Sequence, residues 1–234
     1  MEDPIEMTVT TIRPDVKSRA ALDREERIVK DGILRMGSLV ESQIRDSIRS
    51  MVERDRELAS VVVATDDRVN EAQREVADTV VRTIATQSPV ARDLRFLMAL
   101  DHVAFELERI GDHAAAIAKQ ARRLADEPPL RETRQLARIG NLAADQVRGV
   151  VGALIDIDDS VARDVATQDD DIDHGYAQVF SEMIELMRTD PQTVERGTRI
   201  ILAAHWIERI GDRVTNIAED VVYLATGRVE DLNP

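Results

Sequence analysis

The sequence predicts an all-α protein built as a tandem repeat of two three-helix bundles, with six long helices in total. The pentapeptide Glu-Arg-Ile-Gly-Asp occurs at Glu108–Asp112 and again 100 residues later at Glu208–Asp212. Apolar residues recur with the 3.6-residue period of a helix through most of the chain, and no segment alternates with the two-residue period of a strand. Aromatic residues make up only 3% of the chain, so the core must be aliphatic and rich in alanine, as packed helices allow.

The first half of the chain is predicted to fold as a three-helix bundle over 18–127. Residues 1–17 precede it without an apolar period, and we interpret them as a flexible N-terminal tail. Pro89 interrupts the helical pattern and can stand near the first turn of a third helix that reaches about Ala125. The stripes of the first two helices are Val29, Ile33, Met36, Val40, Ile44, Ile48 and Met51, followed by Leu58, Val62, Val69, Val76, Val80 and Ile84.

The second half repeats this plan over 130–228, after the break at Pro128 and Pro129. Its first helix carries an apolar stripe that ends near Leu154, and its second helix is predicted from about Asp158 to Arg188. A third helix opens at Pro191 and ends at Gly227, a residue typical of helix C-caps. Residues 229–234 are interpreted as a C-terminal tail. Helices of about 30 residues are about 45 Å long, so each half should be an elongated bundle.

Composition excludes several classes of function. The chain of 234 residues has a net charge of −14, which argues against nucleic acid or an anionic membrane surface as the main partner. It has no cysteine, so disulfides, thiolate catalysis and cysteine-ligated zinc or iron–sulfur sites are excluded. No apolar run approaches the roughly 20 residues of a transmembrane helix, and no signal-peptide pattern precedes the first bundle. We therefore expect a cytoplasmic protein without a transmembrane segment.

Acidic side chains are paired on helices in both halves. Each copy of the repeated motif places a Glu and an Asp on one helix face, because positions i and i+4 are neighbours. Such like charges destabilise a helix, and the Gly between them costs about 1 kcal/mol relative to Ala. The middle helices carry a second i, i+4 pair of oxygen ligands in each half. The predicted metal-binding residues are Asp66, Asn70, Glu108 and Asp112 in the first half, and Asp169, Asp173, Glu208 and Asp212 in the second.

Clusters of this kind suit hard or intermediate cations such as magnesium, manganese, calcium or iron, which prefer oxygen ligands. Several carboxylates placed together without a cation would repel one another. His205 can add a nitrogen ligand in the second half, where the first half has Phe105. The other three histidines, His102, His113 and His174, are more typical of surface or satisfied polar positions, and Trp206 is expected to pack between helices.

Two other interpretations of the acidic pairs stay open at this point. The acids can form a solvated surface with ion pairs to Arg109, Arg209 and Arg213. Alternatively, Gly111 and Gly211 lie on stripes of small residues that would let a neighbouring helix approach closely. Close packing explains the glycines but does not explain the acids that flank them.

Several segments of the chain resemble the PhoU family of phosphate-signalling proteins. They are Met36-Gly37-x-x-Val40-Glu41-x-Gln43-Ile44, Pro89-Val90-Ala91-Arg92-Asp93-Leu94-Arg95, Leu107–His113, Ile207–Arg213, Asn216-Ile217-Ala218-Glu219 and Tyr223…Thr226-Gly227. The resemblance covers about residues 20–227. It implies two three-helix bundles side by side, whose Glu/Asp-x-x-x-Asp motifs can hold mono- or multinuclear metal clusters, described in the family for iron and zinc.

The resemblance also implies a function. It implies a non-enzymatic negative regulator of phosphate uptake and of the phosphate-starvation two-component response. The implied partners are the ATPase of the phosphate ABC importer and the phosphate sensor histidine kinase, while self-association as a homodimer is left open. Two departures weaken the first site: Asn70 replaces an acid, and Ala116 stands where the second half has Asn216.

Two competing functions are considered beside this one. A carboxylate di-metal oxidase or ferroxidase would use Glu-x-x-His motifs on facing helices. The chain has no such motif, and Asp171-x-x-His174 is the nearest to it. A purely structural helical scaffold, in which the acids are only surface charge, is the other.

Overall fold

The computed structural model describes residues 16–130 and 134–233, and within these ranges every regular element is helical. The elements are α1 (Val16–Glu53), α2 (Arg56–Gln87), α3 (Arg92–Leu124), α4 (Arg134–Asp156), α5 (Asp159–Thr167), α6 (Asp169–Thr189), a 3₁₀ turn (Pro191–Thr193) and α7 (Val194–Thr226). The predicted all-α fold class is confirmed. The fifth of the six predicted helices is divided into α5 and α6.

The helices form two bundles that pack side by side. Helices α1, α2 and α3 contact one another, and α4 and α7 pack with α5 and α6 in the second half. The two halves meet where α1 packs on α4 and α3 packs on α7, so α2 and the α5–α6 pair contact only helices of their own half. The buried core is almost entirely aliphatic, as the low aromatic content predicts. Within the described ranges, no helix has an apolar stretch long enough to cross a lipid bilayer.

Glycines set the approach of α1 to α4. A Cβ on Gly37 would lie 3.0 Å from Val151 of α4, and a Cβ on Gly140 would lie 2.4 Å from Ile48 of α1. Gly140 and Val151 occupy the second-half positions that Gly37 and Ile48 occupy in the first. The same contact is therefore made twice across the interface between the halves, as a pseudo-twofold repeat requires.

The prediction of one continuous helix from Asp158 to Arg188 is wrong. The helix is interrupted at Gln168, and α6 starts with three consecutive acids, Asp169, Asp170 and Asp171. Short acidic side chains compete with helical backbone hydrogen bonds, and the positive end of the helix dipole stabilises them in a first turn. The corresponding residue of the first half, Asp66, lies within the uninterrupted helix α2.

The ends of the halves also differ from the prediction. Helix α1 already includes Val16 and Lys17, whereas the rest of the predicted N-terminal tail lies outside the described residues. Helix α3 begins at Arg92, three residues after Pro89. Gly227 is the C-cap of α7, with a left-handed φ of 74°, as predicted.

Candidate metal centres

The second candidate site lies between α6 and α7. Asp169 and Asp173 lie on α6, and Glu208 and Asp212 lie on α7. Burial, followed by the charges of Asp173, Asp212 and Glu208, raises the pKa of Asp169 to about 7. Burial, followed by the charge of Asp212, also raises the pKa values of Asp173 and Glu208. The structure thus brings the four predicted acids of this half within electrostatic reach of one another.

Asp169 is the most buried of these acids, with 3% of its surface exposed. Its Oδ1 atom lies directly against Gly211, since a Cβ on that glycine would be only 2.0 Å away. Its Oδ2 atom accepts a hydrogen bond from Asn233 Nδ2 at 3.0 Å. Gly211 is therefore required at this position because the neighbouring helix brings a carboxylate against its backbone.

The first candidate site occupies the equivalent place between α2 and α3. Burial, followed by the charge of Asp112, raises the pKa values of Asp66 and Glu108. The Oδ1 atoms of Asp66 and Asn70 are buried and accept no hydrogen bond within the described part of the chain. At Gly111 the approach is looser, because a Cβ would lie 3.2 Å from Gln43 Oε1 and 3.2 Å from Val69 Cγ1.

Sequence reasoning missed a third repeated element. Gln43 of α1 follows Gly37 at the same sequence separation at which Gln146 of α4 follows Gly140. Both glutamines are buried, with 2% and 1% of their surface exposed. Their Oε1 atoms have no hydrogen-bond partner within the described ranges. A comparison of the halves shifted by 103 residues, the shift that aligns Asp66 with Asp169, would have found this pair.

The structure supports the solvated-surface interpretation only in part. Arg209 Nη1 pairs with Asp212 Oδ2 at 2.7 Å, and Arg109 lies 3.7 Å from Asp112. Arg213, however, turns away from the acids of its own half and pairs with Glu106 of α3.

Of the four histidines, only the side chain of His205 lies beside a predicted ligand within the described ranges. His205 Nδ1 lies 3.3 Å from Glu208 Oε2, close enough to join the second site. His102 pairs with Asp220 at 2.6 Å, and His174 contacts the Asp170 carbonyl oxygen at 2.5 Å, so neither contacts the predicted ligands. His113 of α3 stacks on Trp206 of α7 with ring centroids 5.1 Å apart. The tryptophan therefore packs between helices, as predicted.

The donor atoms at both candidate sites are of a type that binds cations, although the side chains are not arranged around a cation in this structure. Within residues 16–130 and 134–233, no three Asp, Glu or His side chains are arranged as a ready set of metal ligands. Nevertheless, buried oxygens of Asp66, Asn70, Asp169 and Glu208 lack hydrogen-bond donors, which is unusual for buried polar atoms. A cation in each site would satisfy these oxygens and neutralise the like charges, which after burial are the second cause of the raised acid pKa values.

A comparison with known protein families places the chain in one of them. The PhoU domain family matches residues 33–121 and again residues 136–221, so each half of the chain corresponds to one domain. The chain belongs to the PhoU family.

Relatives and solved structures agree with this assignment. The chain is 36% identical over 202 residues to the phosphate-specific transport system accessory protein PhoU homolog of Clostridium acetobutylicum, covering 86% of this chain and 92% of that protein. It is 34% identical over 200 residues to the homolog of Pseudomonas aeruginosa, covering 85% and 83% respectively.

Two crystal structures resemble this one over almost their whole length. PhoU from Pseudomonas aeruginosa superposes with a TM-score of 0.85 at 34% identity, covering 88% of this chain and 99% of that one. The phosphate transport system regulatory protein PhoU from Streptococcus pneumoniae superposes with a TM-score of 0.84 at 30% identity, covering 90% and 99%.

Proposed function

We propose that this protein is a non-enzymatic negative regulator of phosphate uptake and of the phosphate-starvation response. The observation that carries the proposal is the match of both halves to the PhoU domain, together with relatives named as accessory proteins of phosphate-specific transport systems. The protein would act as an adaptor between the ATPase of the phosphate ABC importer and the sensor histidine kinase. Its elongated helical bundles supply long surfaces for such contacts.

The acidic sites give this adaptor a place to bind cations. Asp169, Asp173, Glu208 and Asp212, with His205 nearby, would hold a cation in the second half. Asp66, Asn70, Glu108 and Asp112 would hold one in the first. The oxygen-rich donor sets suit magnesium, manganese, calcium or iron, and His205 would also suit zinc. A bound cation would neutralise the acids and fix α6 against α7, a structural rather than a catalytic contribution.

Deletion of the gene tests the regulatory proposal. We expect phosphate-starvation genes to stay switched on in abundant phosphate, and a plasmid copy of the chain should restore their repression. Normal repression in the deletion strain, with no second copy of the gene in the genome, would contradict the proposal.

Partner capture tests the adaptor proposal separately. The protein should retain the importer ATPase and the sensor kinase from cell extracts, with capture compared between high and low phosphate. Because the chain carries a net charge of −14, we expect retention to weaken as salt rises. Capture of neither partner under either condition would contradict the adaptor role while leaving the deletion result intact.

A further inference from the structure

Residues 228–233 form a C-terminal strap that folds back along the second half. It begins after Gly227, whose left-handed conformation turns the chain at the end of α7. Glu230 of the strap accepts a hydrogen bond from Arg163 Nη1 of α5 at 2.9 Å. The Leu232 amide donates to Glu219 Oε1 of α7 at 3.0 Å, and the Leu232 side chain packs against the core. The segment predicted as a tail is therefore attached to two helices of its bundle.

The strap ends on the second acidic site. Asn233 Nδ2 donates to Asp169 Oδ2 at 3.0 Å. A cleft of about 460 Å³ lies beside this contact and is lined by Asp212 of α7 and by strap residues. Because Asp169 Oδ1 faces Gly211, both oxygens of this carboxylate are in contact with the protein's own atoms.

The first half provides an internal comparison. Asp66 occupies the position of Asp169, and the Oδ1 atom of each is buried without a hydrogen-bond donor in the described part of the chain. The residues that follow α3, from Ala125 to Leu130, lead into the connection to α4. The hydrogen bond from Asn233 to Asp169 is therefore one of the features that distinguish the second site from the first.

We propose that the strap competes with a cation for Asp169, so that a cation binds the second site fully only when Asn233 leaves. This inference rests on the proposed cation binding. The Asn233 amide N–H takes up one acceptor site of Asp169 Oδ2 and holds the Asn233 side chain against this oxygen, where it hinders the approach of a cation. The strap is tied down at Glu230 and Leu232, so its release involves the whole segment. By linkage, strap release raises cation affinity by the same factor by which the cation favours strap release.

Binding of Mn²⁺ tests the competition. The background is the Glu108→Ala, Asp112→Ala protein, in which only the second site is intact. We expect Asn233→Ala to tighten Mn²⁺ binding by about tenfold in calorimetry, the effect of removing one hydrogen bond to a charged group. Leu232→Ala, which loosens the strap without touching Asp169, should shift the affinity in the same direction. Val229→Ala is the matched control, because this strap residue is 88% exposed.

Hydrogen exchange provides the second readout. Saturating Mn²⁺ should accelerate amide exchange in residues 228–233 of the otherwise unchanged protein, most clearly at Leu232. Equal or weaker Mn²⁺ binding by Asn233→Ala, or slower exchange in the strap, would overturn the competition while leaving cation binding established. If none of the variants binds Mn²⁺, both the competition and the cation sites fail, and the deletion phenotype is unaffected by that result.

Discussion

The carboxylate of Glu106 accepts hydrogen bonds from the guanidinium of Arg213 across the interface between α3 and α7. The distances to Nη1 are 3.4 and 3.3 Å, and only 3% of Glu106 is exposed. Asn216 Nδ2 donates to the same carboxylate at 3.4 Å. A buried charged group with several partners of this kind joins the two halves of the chain.

Removal of this carboxylate should destabilise the protein. Glu106→Ala leaves Arg213 and Asn216 without their acceptor, and we expect the free energy of unfolding to fall by about 3 kcal/mol. Urea unfolding followed by circular dichroism measures the change. Asp126→Ala is the control, since it removes an exposed ion pair with Arg56, whose expected contribution is below about 1 kcal/mol. Equal effects of the two substitutions would contradict this account of the interface.

Two glycines should respond to alanine in opposite directions. A Cβ on Gly175 of α6 would lie 2.1 Å from Ile139 Cγ2 in the core, so Gly175→Ala should destabilise the protein by about 1–3 kcal/mol. A Cβ on Gly152 of α4 meets no atom within 4 Å, so Gly152→Ala should stabilise it by up to about 1 kcal/mol through helix propensity. Thermal unfolding of both variants checks the signs. Stabilisation by Gly175→Ala would show that α4 and α6 are not packed this closely.

His102 should make stability depend on pH. Its hydrogen bond to Asp220 raises its pKa, and the charges of Asp220, Glu106 and Asp101 act in the same direction, whereas burial lowers it. A histidine with a raised folded-state pKa adds stability below the unfolded value of about 6.5, and this contribution is lost as pH rises through the folded-state pKa. His102→Gln should therefore lower the free energy of unfolding more at pH 5.5 than at pH 9.

Unfolding measurements at the two pH values test this sign. Asp220→Asn should weaken the same pH dependence, because it removes the first partner of the imidazolium. A loss of stability in His102→Gln that is equal at both pH values would show that the ring contributes only packing.

The acids of the second half should carry most of the bound metal. We expect Glu208→Ala with Asp212→Ala to remove most of the metal retained by the purified protein. Glu108→Ala with Asp112→Ala should remove less, because Asn70 is neutral where the second half has the acid Asp173. Elemental analysis measures the metal, with Glu185→Ala and Glu195→Ala, two exposed acids of the second half, as the control pair. Unchanged metal content in the Glu208 and Asp212 variant would show that the assignment is wrong.

The Glu208→Ala, Asp212→Ala variant should not lose stability when metal is absent. Burial is the main cause of the raised pKa of Asp169, but the charges of Asp212 and Glu208 add to it, so removing these two acids relieves repulsion and the metal-free variant should be at least as stable as the metal-free parent. Chelator-treated samples compared by urea unfolding provide the measurement. A clear loss of stability in the metal-free variant would mean that these acids stabilise the fold through other contacts.

The repeated motif and the helical period of the apolar residues together predict the fold class and the helices that carry each candidate site. The spacing of Glu108 and Asp112, and its repetition in the second half, depends only on helical periodicity, which sequence alone displays. The break at Gln168 was missed, because the apolar period continues across it and only the run of acids indicates a new helix start. The contact of Asn233 with Asp169 could not be predicted, since it depends on where a non-periodic segment lies after the bundle has formed.

The interface between α3 and α7 has different residue pairs at its two ends, although the two helices are repeats of each other. Position 106 of the first half corresponds to Trp206, and position 113 corresponds to Arg213. One end of the interface therefore pairs Glu106 with Arg213, while the other stacks His113 on Trp206. A first half paired with its own copy would set Glu106 against His113, and a second half paired with its own copy would set Trp206 against Arg213. Each half thus supplies one member of each pair, and a homodimer of either half would lose both the Glu106–Arg213 pair and the His113–Trp206 stack.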